Sequence, residues 1–320
     1  MFGPVFRNDH RIFTRLLALL CLFTAATTTS WGATKNGFDL NNSAIPVDEI
    51  FHGGPPKDGI PAIDHPKFVS PAKAKFLKPG DRVLGLAYNG TAKAYPIPIM
   101  NWHEIVNDNF GDAPVVVTFC PLCGTGVAFS ATTGDRRHNF GVSGLLYNSD
   151  VLLYDRETQS LWSQLLMKAI SGPLKDTALP LIPLEHTTWA DWRKRHPDTL
   201  VLSTDTGHRR DYDRDPYAGY LTSERTYFPV ANVDRRYHPK ERVLGIAIDG
   251  VSKAYPFVEL GKTPGEVKDS IGNRPIVVRY DAEHQSARIF DGEGRELPGI
   301  TAFWFAWYAF NPDTEVFTAP

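Results

Sequence analysis

The chain has 320 residues, 34 Lys plus Arg against 36 Asp plus Glu and a formal net charge of −2, a balance that excludes the strongly basic surface a nucleic-acid binder needs. Three cysteines are too few for a disulfide framework. An apolar content of 42% suffices for one large core or two modest ones, and 26 Gly with 25 Pro favour a loop-rich β or α+β architecture over a helical bundle.

From the N-terminus, Arg7, Arg11 and Arg15 precede an apolar run from Leu17 to Ala26, and small and hydroxyl residues follow up to Gly32. That order predicts a cleaved secretory signal over residues 1–32 and export to the periplasm or the exterior. The run is too short to span a bilayer, which takes about 20 residues. Leu20 before Cys21 argues against lipidation. No later stretch is long and apolar enough for a membrane span, so a soluble mature chain of net charge about −4 is expected. Loss of Cys21 with the leader leaves Cys120 and Cys123 as its thiols.

Residues 33–80 form a loop-rich segment, and the Gly and Pro density of Phe51–Asp64 predicts an ordered irregular loop. Asp81-Arg-Val-Leu-Gly-Leu-Ala-Tyr-Asn-Gly-Thr-Ala-Lys-Ala-Tyr-Pro96 then recurs, at an offset of 160, as Glu241-Arg-Val-Leu-Gly-Ile-Ala-Ile-Asp-Gly-Val-Ser-Lys-Ala-Tyr-Pro256. Each copy opens with two apolar strands around Asn89-Gly90 or Asp249-Gly250, the signal for a two-residue hairpin. The β-branched run Pro114–Phe119 matches Pro275–Tyr280, and Trp189-x-x-Trp192 before Pro197-Asp198-Thr199 matches Trp304-x-x-Trp307 before Pro312-Asp313-Thr314. The tryptophans, present in both copies, read as core.

The offsets bound a first repeat at 81–203, with an insert at about 136–182, and a degenerate second repeat at 241–320. Between them, the alternating charges of 204–240 read as a solvated connector. The fold expected is α+β: two related β-rich lobes from an internal duplication, with short helices and an insert in the first copy.

What the first copy has and the second lacks is Cys120-Pro121-Leu122-Cys123-Gly124, which falls opposite Asp281 to Gln285. A Cys-x-x-Cys-Gly turn between strands has the geometry of a metal knuckle, the Gly supplying the left-handed backbone that closes it. Two thiolates do not complete a site. His103, in Asn101-Trp102-His103-Glu104, is the expected third ligand, with Met100 one helical turn away and His138 a further candidate. Thiolates with imidazole suit copper(I), with zinc the other choice. A redox dithiol and a structural disulfide remain open as readings of the same pair.

Asp155, Glu157, Ser160, Trp162 and Gln164 of the insert read first as the start of a surface helix, and second as the lining of a pocket. His103-Glu104 is only half a zincin motif, because position 107 is Asn. The function expected is an exported metal-binding protein that handles the ion or uses it in redox chemistry. The alternatives are a thiol–disulfide oxidoreductase, or a ligand-binding module stapled by a disulfide. Its partner is an unknown small molecule or protein.

Gly53–Ala62, Asn101–Asp108, Thr118–Gly126 and Gly141–Asp150 together resemble the exported bacterial and archaeal family DUF3179. The resemblance covers nearly the whole chain after the leader. It implies the repeat boundaries and the Cys-x-x-Cys as a family feature, and it carries no activity.

Overall fold

The repeated Asn89-Gly90 and Asp249-Gly250 pairs adopt the left-handed backbone expected of them, with φ of 47° and 73° in the first and 51° and 83° in the second. Positive φ at both central residues is what a tight turn needs to match the twist of its flanking strands. The computed structural model containing these turns describes residues 1–3, 33–263 and 265–320; nearly all of the predicted leader, Cys21 included, lies outside the described residues.

The N-terminal segment carries β1 (Thr34–Lys35), β2 (Phe38–Asp39), β3 (Ile50–His52) and β4 (Phe68–Val69). The first copy follows as β5 (Arg82–Tyr88), β6 (Thr91–Pro96), α1 (Ile97–His103), β7 (Ile105–Phe110), β8 (Ala113–Cys120) and β9 (Thr125–Ser130). After the small hairpin β10 (Thr132–Thr133) and β11 (Arg136–Arg137), the insert forms β12 (Phe140–Tyr147), β13 (Asp150–Asp155), β14 (Leu161–Ser163) and β15 (Lys168–Ser171). The copy closes with β16 (Leu181–Ile182), β17 (Glu185–Thr188), α2 (Trp189–Arg195) and β18 (Leu200–Leu202). The second copy runs β19 (Arg242–Ile248), β20 (Val251–Pro256), α3 (Phe257–Leu260), β21 (Glu266–Ile271), β22 (Arg274–Asp281) and β23 (Ser286–Asp291). It ends in β24 (Glu296–Leu297), β25 (Ile300–Phe303), α4 (Trp304–Phe310) and β26 (Glu315–Val316).

These strands form five larger sheets, arranged as the blades of a five-bladed β-propeller. The expectation of an α+β fold in two lobes is therefore corrected: strands make up 41% of the chain and helices 10%, and the helices are caps of four to seven residues. The repeat is consistent with this arrangement. Sheet order β17-β5-β6-β18-β4 in the first copy corresponds to β25-β19-β20-β26 in the second, and β16-β9-β8-β7 to β24-β23-β22-β21. The fifth sheet, β15-β14-β13-β12-β3, is the insert plus one N-terminal strand.

Lobes do not form because the largest core ignores the repeat boundary. It joins Cys120, Leu122 and Phe129 of the first copy, Trp162 of the insert, and Val243, Ala302, Phe303 and Trp304 of the second. Residues 32–320 make one compact unit. Strand β25 packs against β9, and β17 against β23, so each copy completes the other.

Within each copy the repeated Trp and Thr serve one interlock. Trp192 lies flat on the strand at Gly85 and donates through Nε1 to Thr199 Oγ1 at 2.9 Å; Trp307 lies on Gly245 and donates to Thr314 Oγ1 at 3.0 Å. A Cβ at Gly85 would stand 2.2 Å from the Trp192 ring, and one at Gly245 would stand 2.3 Å from Trp307. Gly85→Ala and Gly245→Ala should each cost about 1–3 kcal/mol through overpacking, read as a fall in Tm. Gly80→Ala, whose Cβ meets nothing within 4 Å, should leave Tm unchanged, and equal Tm values for all three would refute the interlock.

Candidate metal centre

Strand β8 delivers Cys120 at its last residue and β9 begins at Thr125, the two being paired in register. The turn between them closes through Gly124 at φ 59°, where a Cβ would meet the Phe303 ring at 2.5 Å. Both sulfurs are therefore turned inward. Cys120 and Cys123 are buried free thiols, and each points at the Ser149 carbonyl, at 3.7 and 3.4 Å.

That carbonyl belongs to the β12–β13 turn, where Asn148 and Ser149 both take left-handed backbone, φ 51° and 63°. Two such residues in succession reverse the chain tightly enough to bring Asp150 beside the thiols. One sulfur from each cysteine and one Asp150 carboxylate oxygen all lie within 4.8 Å of one another. Oδ2 of Asp150 accepts the Leu165 N–H at 3.1 Å. Oδ1 is buried and, among the described residues, has no hydrogen-bond partner.

Further buried polar groups surround this cluster. Gln164 donates to Thr118 Oγ1 at 2.8 Å and to the Thr125 carbonyl at 3.3 Å, gripping both strands of the knuckle. Glu104, the left-handed C-cap of α1 at φ 58°, turns its buried side chain into the electrostatic field of Asp150. The connector closes the top: Ser149 Oγ donates to the Phe228 carbonyl at 2.9 Å, and the Ala231 N–H donates to Asn148 Oδ1 at 2.8 Å. Tyr220 is fully buried, with Lys240 Nζ 4.3 Å above its ring. The charged residues of 204–240, Asp205, Arg209, Arg210, Asp211, Asp213, Arg214 and Asp215, are exposed as the solvated reading expects, and the connector adds to that reading an inward anchor at Tyr220 and Lys240.

His103 occupies a different place from the one expected. Its Nδ1 is 2.8 Å from the Pro61 carbonyl and its Nε2 is 2.7 Å from Tyr212 OH, so both ring nitrogens are engaged by protein, outside the cluster of Cys120, Cys123 and Asp150. Met100 packs in the core on the far side of β8, with Leu84 and Tyr95. His138 is buried, 2.6 Å from Thr133 Oγ1 and 3.7 Å from Asp155, in a group of its own with Asp155 and Glu157. Asp155 caps a turn, accepting Thr158 N–H at 2.6 Å and Trp162 Nε1–H at 2.9 Å. The expected surface helix there is thus replaced by a turn and strand β14. Opposite the cysteines in the second copy, the exposed Asp281 and half-buried His284 gather with the buried Asp191 of the first.

The family described as "Protein of unknown function (DUF3179)" matches residues 57–314. The chain belongs to the DUF3179 family. No curated protein and no solved structure matches it.

The centre of this DUF3179 member is a pocket of acids with little positive charge. Burial pushes both thiols above their usual range, and each feels the other and Asp150. Burial raises Asp150 to about 7, opposed by the Leu165 and Val151 N–H groups, and raises Glu104 to about 8, with Asp150 adding to the shift. Burying charge without a counter-charge is expensive, so burial biases all four groups toward their protonated forms, least so Asp150, and a cation among them would favour the charged forms. Asp150 and Glu104 are the residues that sequence reasoning passed over. The signals were the Asn-Ser-Asp end of the 141–150 motif and the residue next to His103.

On the outer side of the turn His186, fully buried, accepts the Gly126 N–H at 3.0 Å. Burial, then Arg82 and Arg242, lowers its pKa from 6.5 to about 3. The unfolded chain binds this proton first, so its contribution is intact above pH 6.5 and declines by about 1.4 kcal/mol per unit as pH falls toward 3. Urea unfolding at pH 7.5 and 5.5 should show a shallower acid loss in His186→Gln than in the native chain; parallel losses would assign the acid sensitivity elsewhere.

Proposed function

We propose that this protein binds one transition-metal ion through Cys120, Cys123 and Asp150 and retains it in a closed site. The observation that carries this reading is the three donor atoms lying within 4.8 Å of one another, with one carboxylate oxygen of Asp150 buried and unpartnered among the described residues. Two thiolates select zinc or copper, and a hard carboxylate in place of an imidazole moves the preference from copper(I) toward zinc. Glu104 is a further buried acid within electrostatic reach of Asp150 and Cys120, and no fourth ligand is assigned.

The leader reading puts the chain in an oxidising compartment, where paired thiols persist only if shielded or metal-bound. Burial under the connector provides shielding. A thiol–disulfide oxidoreductase is less well supported, because burial raises both thiols, and the turn runs into strand β9 rather than into a helix whose N-terminus would stabilise a thiolate.

The test is elemental analysis with thiol titration on the full chain purified anaerobically. About one zinc or copper per chain is expected. Cys120→Ser/Cys123→Ser should abolish it, Asp150→Asn should weaken it tenfold or more, and His103→Gln should leave it bound. Removing the ion with a chelator should lower Tm, since binding to the folded state alone adds stability. A metal-free chain with a Cys120–Cys123 disulfide would sink the proposal, toward redox chemistry if the bond reduces readily and toward a structural staple if it does not.

A further inference from the structure

The outer face of the Cys120–Gly124 turn borders a cavity of about 280 Å³ lined by Arg82, Phe119, Pro121, His186, Arg242 and Phe303. It lies where the two copies meet: Arg82 opens β5 and Arg242 opens β19, at corresponding positions of the repeat. Their partners differ. Arg82 donates to the backbone carbonyls of His284 and Gln285, at 2.5 and 3.1 Å. Among the described residues Arg242 has no side-chain hydrogen bond and neither arginine forms an ion pair within 4.0 Å.

A guanidinium carries five donors in a fixed fork and stays charged in a protein, so one that is half-buried and unpartnered leaves donors to be filled. The carboxylates whose fields reach Arg82, those of Glu185 and Asp191, are already bound by Arg195 at 2.7 and 2.6 Å. Glu241, whose field reaches Arg242, accepts the Val258 N–H at 2.9 Å, and the exposed Asp213, Arg214 and Asp215 line the rim, Asp215 accepting the Tyr217 N–H at 2.9 Å. His186 adds no charge, being held neutral in the field of the two arginines. Burial, then Arg242, lowers Arg82 to about 9, which records two cations sharing one space. An anion between them would relieve that repulsion.

The remaining walls decide which kind of anion. Phe119 and Phe303 face the cavity with Ile97, Pro121 and Leu221, which a small hydrated oxyanion would leave in contact with water. We propose that this cavity binds a small organic carboxylate, its head on Arg242 and Arg82 and its apolar body between Phe119 and Phe303. The site uses none of the three metal ligands, so it stands apart from the metal reading, although a bound molecule would rest against the back of the thiol turn.

The experiment is titration of the full chain as purified, whatever its metal content, with benzoate, followed by calorimetry and thermal shift. Benzyl alcohol, benzylamine and inorganic phosphate serve as neutral, cationic and non-apolar comparisons. Benzoate should bind saturably, more weakly as salt rises, and at least tenfold more tightly than the other three. Arg242→Gln should reduce its affinity at least tenfold. Should that variant fold poorly, Leu221→Asp places a negative charge at an exposed rim position, 51% accessible, and should weaken benzoate several-fold with Tm unchanged. Benzoate binding no better than benzyl alcohol, tighter binding of phosphate, absence of any binding, or full affinity in both variants would each overturn the proposal.

Discussion

Phe303 donates its backbone N–H to the carbonyl of Cys123 at 2.8 Å and seats its ring on Gly124, and by that contact the second copy holds the turn that carries the thiols. Neither half has this geometry alone. The knuckle needs a partner on its outer side because Gly124 offers no side chain to pack, and the Phe303 ring fills the space. The same ring forms one wall of the arginine-lined cavity. A single aromatic residue of the degenerate copy thus fixes both the inner and the outer face of the turn.

The two copies share a frame and diverge in what they attach to it. In both, a Gly-bearing strand is clamped by a Trp whose indole reaches a Thr seven residues on. Lys93 pairs with Asp108 at 2.9 Å beside Tyr95, and Lys253 pairs with Asp269 at 2.7 Å beside Tyr255. The first pair is buried and the second partly so, which places the first pair deeper. Its insert adds a sheet, and the first turn of that sheet delivers Asp150. A duplicated scaffold is free to acquire such a group because the fold is already satisfied without it.

The parts legible in the sequence were those set by local backbone chemistry. Asn89-Gly90 and Asp249-Gly250 specify their hairpins outright, and Cys-x-x-Cys-Gly specifies a closed turn with both sulfurs on one side. The Trp repeat read correctly as core. The fold class did not follow, because periodicity identifies strands without telling which sheets share a core. The expected short helices are present, Trp304–Phe310 being a two-turn cap. At the site, His103 attracted attention as the better ligand type. Its two nitrogens are nevertheless taken by Pro61 and Tyr212, a pairing that spans 42 and 109 residues and leaves no local trace. Asp150 depends on two successive left-handed residues, Asn148, whose type favours that backbone, and Ser149, whose type does not announce it.

The strap formed by Phe228 and Ala231 over Asn148 and Ser149 has a kinetic meaning beyond its hydrogen bonds. Cys123 is fully buried and Cys120 nearly so, and the carbonyl that both sulfurs face belongs to the turn under this strap. A reagent approaching from the connector side would have to displace it. Where reclosing is faster than reaction, the rate of modification is the open fraction multiplied by the reagent's own reactivity; only where reaction outpaces reclosing does the opening step alone set it.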